Sequence, residues 1–364
     1  MHVCLHCIEF FGFGVYGGFG RATRSIGCEL VRQGVKVTVI VPRRSPEYPD
    51  QCELEGMTIL QFPRHHPWSM ISGYRKCKAD IYHSQDTSLG TYLARVFVPS
   101  SRHVITFQDP LDKEDWKIET KWAHKGGLGW RQYRLYIDNP LVASAVRRAH
   151  GLYCAAEFLI PKVVKKYALR SAPGFLPTPV QMPDSVTKAV RPTICFVSRW
   201  DGRKRPERFF ELARKFPKVE FIAVGGAQNK DRDRHLRETY GGIPNLMMTG
   251  IIDQFRSKEL SEILGRSWVL VNTSPREGLP NAFLEAAAHR CALLSHADPD
   301  GIVSRFGVVA GEDELERGLD SLLADGRWQT LGEQGHEYVS RVFSVEAAMK
   351  GHLEAYDRAL RGKP

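Results

Sequence analysis

Two carboxylates eight positions apart, Glu277 and Glu285, flank a Gly-Leu-Pro turn in "SPREGLPNAFLEAAAHR" (274–290). Carboxylates so spaced can accept hydrogen bonds from hydroxyls at two places on one ligand. A single acidic residue in a first helical turn would serve only the helix dipole; a pair asks for more. A second stretch, "SRWDGRKRPE" (198–207), carries Arg199 and, five residues on, Lys204. A guanidinium fork and a mobile ammonium suit two neighbouring phosphates, while Arg203 and Arg205 read as a solvated basic turn. A third, "GFGVYGGFGR" (12–21), sets Gly17 and Gly18 ahead of a helix whose unpaired N–H groups favour an anion. A plain strand-to-helix connection is an equal reading of it. It does not match G-x-G-x-x-G, and no acidic residue closes the following strand, which argues against nicotinamide or flavin. A fourth, "TGIID" (249–253), ends a strand at Gly250 and offers the backbone near Ile251 to a flat base.

Elements of a particular kind must hold such loops. Short apolar runs alternate with amphipathic stretches through both halves: "VKVTVIVP" (35–42) and "HVITF" (103–107) in the first, "TICFVS" (193–198), "VEFIAVGG" (219–226) and "WVLVNTS" (268–274) in the second. Buried runs of that length separated by helices imply parallel sheets with helices on both faces. The stretch 171–192 carries five of the 21 prolines and no apolar period, which suits a linker. The expected fold class is therefore α/β, two doubly wound Rossmann-like domains facing one another across a cleft. Their ligands would lie beyond the carboxyl ends of the strands. Pro280 is expected at the first position of the helix that holds Glu285. The N–H groups of Gly278 and Leu279 would then face ligand oxygens, and Glu285 would share a face with Asn281.

Bulk properties narrow the class. The 364 residues suffice for two domains, and 43% hydrophobic with 25% charged residues is ordinary for a globular chain. No apolar run approaches the roughly 20 residues that span a bilayer. The N-terminus lacks the pattern of a signal peptide, so a cytoplasmic location is expected. Eight cysteines are scattered; Cys4 and Cys7 fall on one strand with their side chains on opposite faces, which suits neither a disulfide nor a zinc site. The net charge of +10 points to an anionic partner, though no nucleic-acid signature appears. The acidic pairs in "DRD" (231–233) and "DPD" (298–300) read as loop turns, and no metal is expected. His289 reads as a helix-end residue satisfied by carbonyls.

These stretches together resemble a known family. "EGLPNAFLEAAA" looks like the E-x7-E segment of family 4 retaining glycosyltransferases of the GT-B fold. "FVSRWDGRKRPERFFELA" is similar to that family's diphosphate-binding segment, and "GGFGRATRSIGCELVRQGVKVTVIV" to its Gly-rich first loop and helix. "LPTPVQMP" resembles the interdomain stretch, and "FSVEAAMKGHLEAYDRAL" the closing helix. The resemblance implies an acceptor-side domain over 1–180, a nucleotide-sugar domain over 181–345, and a helix over 346–364 that returns to the first domain. It implies that Glu285 binds the ribose hydroxyls of a nucleotide sugar. Glu277 and the amides of Gly278 and Leu279 would hold the sugar, and Arg199 with Lys204 the leaving diphosphate. It further implies transfer of a hexosyl unit from a UDP- or GDP-sugar with retention, without a metal or other cofactor. Where the family commonly has T-x-H-D, this chain reads "TFQDP", so Gln108 stands where a His near the donor sugar is usual. Gln can hydrogen-bond a hydroxyl but carries no charge.

The acceptor is less legible. The segment 111–136 interleaves Lys113, Lys117, Lys121 and Lys125 with Trp116, Trp122 and Trp130. An anionic membrane surface, a glycan stacked on the aromatics and an ordinary exposed loop fit it equally. The expected partners are a nucleotide-sugar donor and a glycan or lipid-linked acceptor, with peripheral contact to an inner membrane face and no nucleic acid. Competing readings are a nucleotide-sugar epimerase or phosphorylase on the same fold, or a non-catalytic sugar-nucleotide binder.

Overall fold

The computed structural model describes residues 1–13, 17–64, 66–122 and 130–362, without the side chains at 122 and 130–132. Two compact units divide the chain: Met1–Asp112, Gly126–Pro179 and Val345–Pro364 form the first, Lys113–Lys125 and Val180–Ser344 the second.

The strands of unit 1 are β1 (His2–Cys7), β2 (Lys36–Arg43), β3 (Gln51–Leu54), β4 (Met57–Pro63), β5 (Ile81–Gln85), β6 (Arg102–Phe107), β7 (Gly151–Cys154) and β8 (Gly174–Phe175). They lie in the order β3-β4-β2-β1-β5-β6-β7-β8, with only β3 antiparallel to its neighbour. Its helices are α1 (Gly18–Arg32), α2 (Met70–Cys77), α3 (Leu89–Phe97), α5 (Trp130–Tyr136), α6 (Pro140–Arg147), α7 (Leu159–Tyr167) and α15 (Val345–Arg361), α4 (Lys113–Trp122) falling in unit 2. Alternating side chains feed two cores. Val3, Leu5 and Cys7 pack with Val37, Ile59 and the α15 residues Met349 and Tyr356. Cys4 packs on the other face with Ile40, Tyr74 and Leu93. The two cysteines therefore serve opposite layers, and none of the eight cysteines is in a disulfide.

Unit 2 holds β9 (Thr193–Val197), β10 (Glu220–Val224), β11 (Leu246–Gly250), β12 (Val269–Asn272), β13 (Ala292–Ser295) and β14 (Gly307–Val309). All pair in parallel in the order β11-β10-β9-β12-β13-β14. Its other helices are α8 (Pro206–Lys215), α9 (Lys230–Tyr240), α10 (Glu259–Arg266), α11 (Asn281–Ala288), α12 (Ile302–Phe306), α13 (Leu315–Leu323) and α14 (Arg327–Phe343). The core runs from Ile194 and Phe196 through Phe209 and Phe221 to Trp328.

Each sheet has one point where successive crossovers leave in opposite directions, between β1 and β5 and between β9 and β12. Open α/β sheets bind ligands beyond the carboxyl ends at such points, so topology alone nominates a few loops.

Three expectations need correction. The proline-rich stretch is no free linker: Gly174–Phe175 completes the first sheet, and Ala189 donates to Arg266 O at 3.0 Å within unit 2. Asp231 and Asp233 open α9 rather than a turn, with Asn229 as cap. Residues 113–122, assigned to the first domain from sequence, pack with the second, because the acidic face of α4 meets arginines there.

Candidate functional site

In unit 2 the chain leaves β9 through Arg199 and Asp201, and leaves β12 through Asn272, Thr273 and Ser274. Thr273 ties the two exits together: its hydroxyl donates to Lys204 O (2.6 Å) and its carbonyl accepts from Arg205 Nε (2.7 Å). Arg205 has a left-handed backbone (φ 47°), is buried, and grips Glu312 through both carboxylate oxygens. The solvated turn expected at this position is instead a structural strut. Arg203 is likewise engaged, at 2.7 Å from Glu119.

This lacing presents Lys204 to Glu277. The ammonium lies 2.6 and 2.8 Å from the two carboxylate oxygens, and Asn272 Nδ2 donates to Glu277 Oε1 at 3.1 Å. Burial would raise the Glu277 carboxyl, but Lys204 and the hydrogen bonds around it bring it below its ordinary value. Asp201 follows the same pattern: burial is outweighed by Arg199, Arg203 and Lys204. Among the described residues Arg199 has its ion pair with Asp201, at 3.4 Å, and it keeps about a quarter of its surface (27%) open.

The helix after Glu277 starts later than expected. Pro280 is the cap residue and Asn281 the first helical one, so Gly278 and Leu279 belong to the preceding loop. The N-terminus of α11 has no side-chain cap and no acidic residue in its first turn. Its positive end therefore favours an anion. Glu285 sits one turn in, with Gln254 Nε2 at 3.4 Å from Oε1. Ile251 follows β11 and is half exposed (51%), a flat apolar surface at a strand end. His289 caps α11, bonded to Glu285 O and to Ser261 Oγ, both at 2.7 Å.

Sequence reasoning missed a clamp. Arg276, next to Glu277, is nearly buried and meets Asp115 (2.7 Å) and Glu119 (3.2 Å) of α4. Glu119 also holds Arg203, so one helix face ties both site loops together. The only sequence signal was an acidic pair four residues apart. On the opposite face Lys113, Lys117 and Lys121 are exposed. Lys125 and the side chains of Trp122 and Trp130 lie outside the described residues.

Unit 1 carries the remaining candidates. Gly17 caps α1 and Gly18 opens it; Gly14 and Tyr16 of the same loop are outside the described residues. The anion expected at this helix start has a resident substitute: Glu9 Oε1 accepts from Gly20 N at 3.0 Å. A Cβ at Gly17 would stand 2.3 Å from that oxygen, so any larger residue there would have to push the Glu9 carboxylate aside. Gln108 is buried at the end of β6 and donates to Gln85 Oε1 at 2.9 Å. Asp86 beside it has φ 73°, and burial pushes its carboxyl up to about 6.

Among the described residues no group of three or more His, Cys, Asp and Glu side chains is placed to hold a metal ion. Nor is any helix among them long and apolar enough to cross a membrane.

Comparison with known proteins bears on this arrangement. The family model described as "Glycosyl transferases group 1" matches residues 179–329, the stretch that holds Arg199, Lys204, Ile251, Glu277 and Glu285. No curated protein matches the sequence. Solved structures match over the full length. Sucrose-phosphate synthase from Thermosynechococcus elongatus is 16% identical with a TM-score of 0.76, covering 99% of this chain and 100% of that one. Anabaena HepE in complex with UDP-glucose is 11% identical with a TM-score of 0.71, covering 98% and 99%. The catalytic domain of starch synthase IV from Arabidopsis thaliana, bound to ADP and acarbose, is 12% identical with a TM-score of 0.65, covering 99% of each chain. The fold is GT-B. Of the nucleotide-binding candidates, Arg199, Lys204 and Glu277 lie at the β9/β12 switch point of unit 2.

Proposed function

We propose that the protein is a glycosyltransferase that moves a hexosyl unit from a UDP- or GDP-sugar to a glycan or lipid-linked acceptor, with retention and without a metal. The observation that carries this reading is the cation pair at the β9/β12 switch point beside the uncapped start of α11. Departure of a nucleoside diphosphate builds negative charge, and fixed positive groups stabilise it most where water is excluded. Arg199 and Lys204 supply that charge, and the α11 amides add a partial positive end. Lys204 is already neutralised by Glu277, which holds the ammonium in place until a diphosphate shares it. Glu277 then accepts from sugar hydroxyls and Glu285 from the ribose, while Ile251 lies under the base.

The HepE complex with UDP-glucose and the starch synthase complex with ADP support a nucleotide-sugar donor for this fold. Retention rests on the family resemblance, as does the role of Gln108 near the transferred sugar. Peripheral contact with an anionic membrane surface rests on the lysine face of α4.

The test is a thermal-shift panel of UDP, GDP, ADP and CMP on the wild type and Glu285→Ala. A ligand at 100 times its Kd stabilises by about 2.7 kcal/mol. A shift with one nucleotide, lost in Glu285→Ala, is expected. Turnover with an acceptor then separates transferase from epimerase and from a non-catalytic binder. No shift with any nucleotide would remove the reading.

A further inference from the structure

The carboxyl edge of the first sheet bears a charge order that the donor chemistry does not use. β4, β2 and β1 are neighbours, and their exits carry Arg64, Arg44 and Glu9 in that order. The β2/β4 register runs Thr38↔Thr58 to Arg43↔Pro63, so Arg44 and Arg64 are the next opposed pair. Strands in one sheet lie about 4.8 Å apart, and Arg64 lies close enough to Arg44 to lower its pKa. Neighbouring arginines in unit 1 are paired: Arg24 with Glu55, Arg43 with Asp50. Among the described residues Arg44 and Arg64 have no carboxylate partner.

Arg44 is held in place all the same. One of its terminal nitrogens donates to Ile8 O at 2.9 Å, and its buried Nε has no acceptor. Burial, then Arg64, lower its pKa, with Glu9 and Cys7 acting the other way. An oriented, partly buried cation facing a like charge is unfavourable unless an anion joins the two. The nearby start of α1 cannot be where that anion sits, because Glu9 already occupies it.

We propose that Arg44 and Arg64 form a subsite for an oxyanion, a phosphate or a carboxylate, carried by the acceptor. Glu9, on the next strand exit, accepts from a hydroxyl of the same molecule. Its Oε2 has no donor among the described residues. Placement of the anion on the acceptor rests on the transferase reading; the subsite itself does not.

The experiment is calorimetric titration with glucose, glucose 6-phosphate and glucuronate in an Arg199→Ala/Lys204→Ala background, which disables the donor phosphate site. One or both anions should bind at least tenfold tighter than glucose, and which one does separates phosphate from carboxylate recognition. Adding Arg44→Gln/Arg64→Gln should abolish the preference. Arg64→Gln alone, at an exposed position, should weaken it without disturbing the fold. Equal binding of all three sugars, no saturable binding of either anion, or a preference that survives the double Gln variant would overturn the subsite. In a chain with its donor site intact, Arg44→Gln/Arg64→Gln should leave the nucleotide thermal shift unchanged, so failure here and failure of the donor reading are separate results.

Discussion

Replacing Arg276 by Met should release α4 from unit 2. Arg276, Asp115 and Glu119 keep only 9%, 12% and 15% of their side-chain surface, so the ion pairs are largely removed from water. Taking one partner from such a buried pair costs about 3–5 kcal/mol. The lower end applies here, because Glu119 retains Arg203. At ten residues α4 is shorter than the roughly 12–15 that hold a helix alone in water. Its amide protection must then come from the clamp. About 3 kcal/mol corresponds to roughly two decades in the opening equilibrium. Hydrogen exchange of the α4 amides in Arg276→Met should therefore accelerate about 100-fold while β9 and β12 stay protected. Arg276→Met/Asp115→Leu should recover part of the loss, since an apolar pair replaces a buried ionic one at little net cost. Exchange of α4 within threefold of wild type would refute the reasoning.

Two further outcomes follow from buried groups. In Lys204→Met the Glu277 carboxyl loses the charge that holds it down, so burial should carry it above about 4.5, read by carbon NMR of the side chain; an unmoved carboxyl would mean that Asn272 and Ser274 suffice. Unit 1 buries His6, His103 and His352 with pKa values of about 4, and His83 is lowered as well, all chiefly by burial. The unfolded chain takes up these protons first, so stability is full above about pH 6.5 and falls as pH drops toward 4, by roughly 1.4 kcal/mol per His per pH unit. Urea midpoints equal at pH 7 and pH 5 would contradict this.

The sequence was most legible where burial on two faces writes an unbroken apolar run. "VKVTVIVP" is β2, "VEFIAVGG" contains β10 and "WVLVNTS" contains β12. Two edge strands were not: β3, half exposed and polar in "QCEL", and the three-residue β14 carry no such run, whereas the edge strand β11 was read from "LMMTG". Arg199, Lys204, Glu277 and Glu285 were nominated because their types and local spacing were already chemical. Glu9, Arg44, Arg64 and Arg276 were not, because each acquires meaning only through a neighbour brought by the sheet. Arg44 and Arg64 are 20 positions apart in sequence and opposed only through the register of β2 on β4. Arg276 meets Asp115 across 161 positions.

The two sheets share a topology but treat their helix starts in opposite ways. At the β1/β5 point of unit 1, Glu9 occupies the start of α1, and Ser88 with Thr91 closes a capping box on α3. His6 bonds the same Ser88 hydroxyl at 2.8 Å. At the β9/β12 point of unit 2, α11 has no side-chain cap, and Arg199 and Lys204 stand on the neighbouring exit. A capped helix start has spent its donors, whereas an uncapped one favours a diphosphate by its dipole, with Lys204 held beside it by Glu277 until a diphosphate shares it. The asymmetry agrees with the proposal that the nucleotide binds unit 2. It leaves unit 1 to recognise its ligand through side chains, and so predicts that exchanging Glu9 for Ala, which reopens α1, should let inorganic phosphate bind unit 1 even without Arg44 and Arg64.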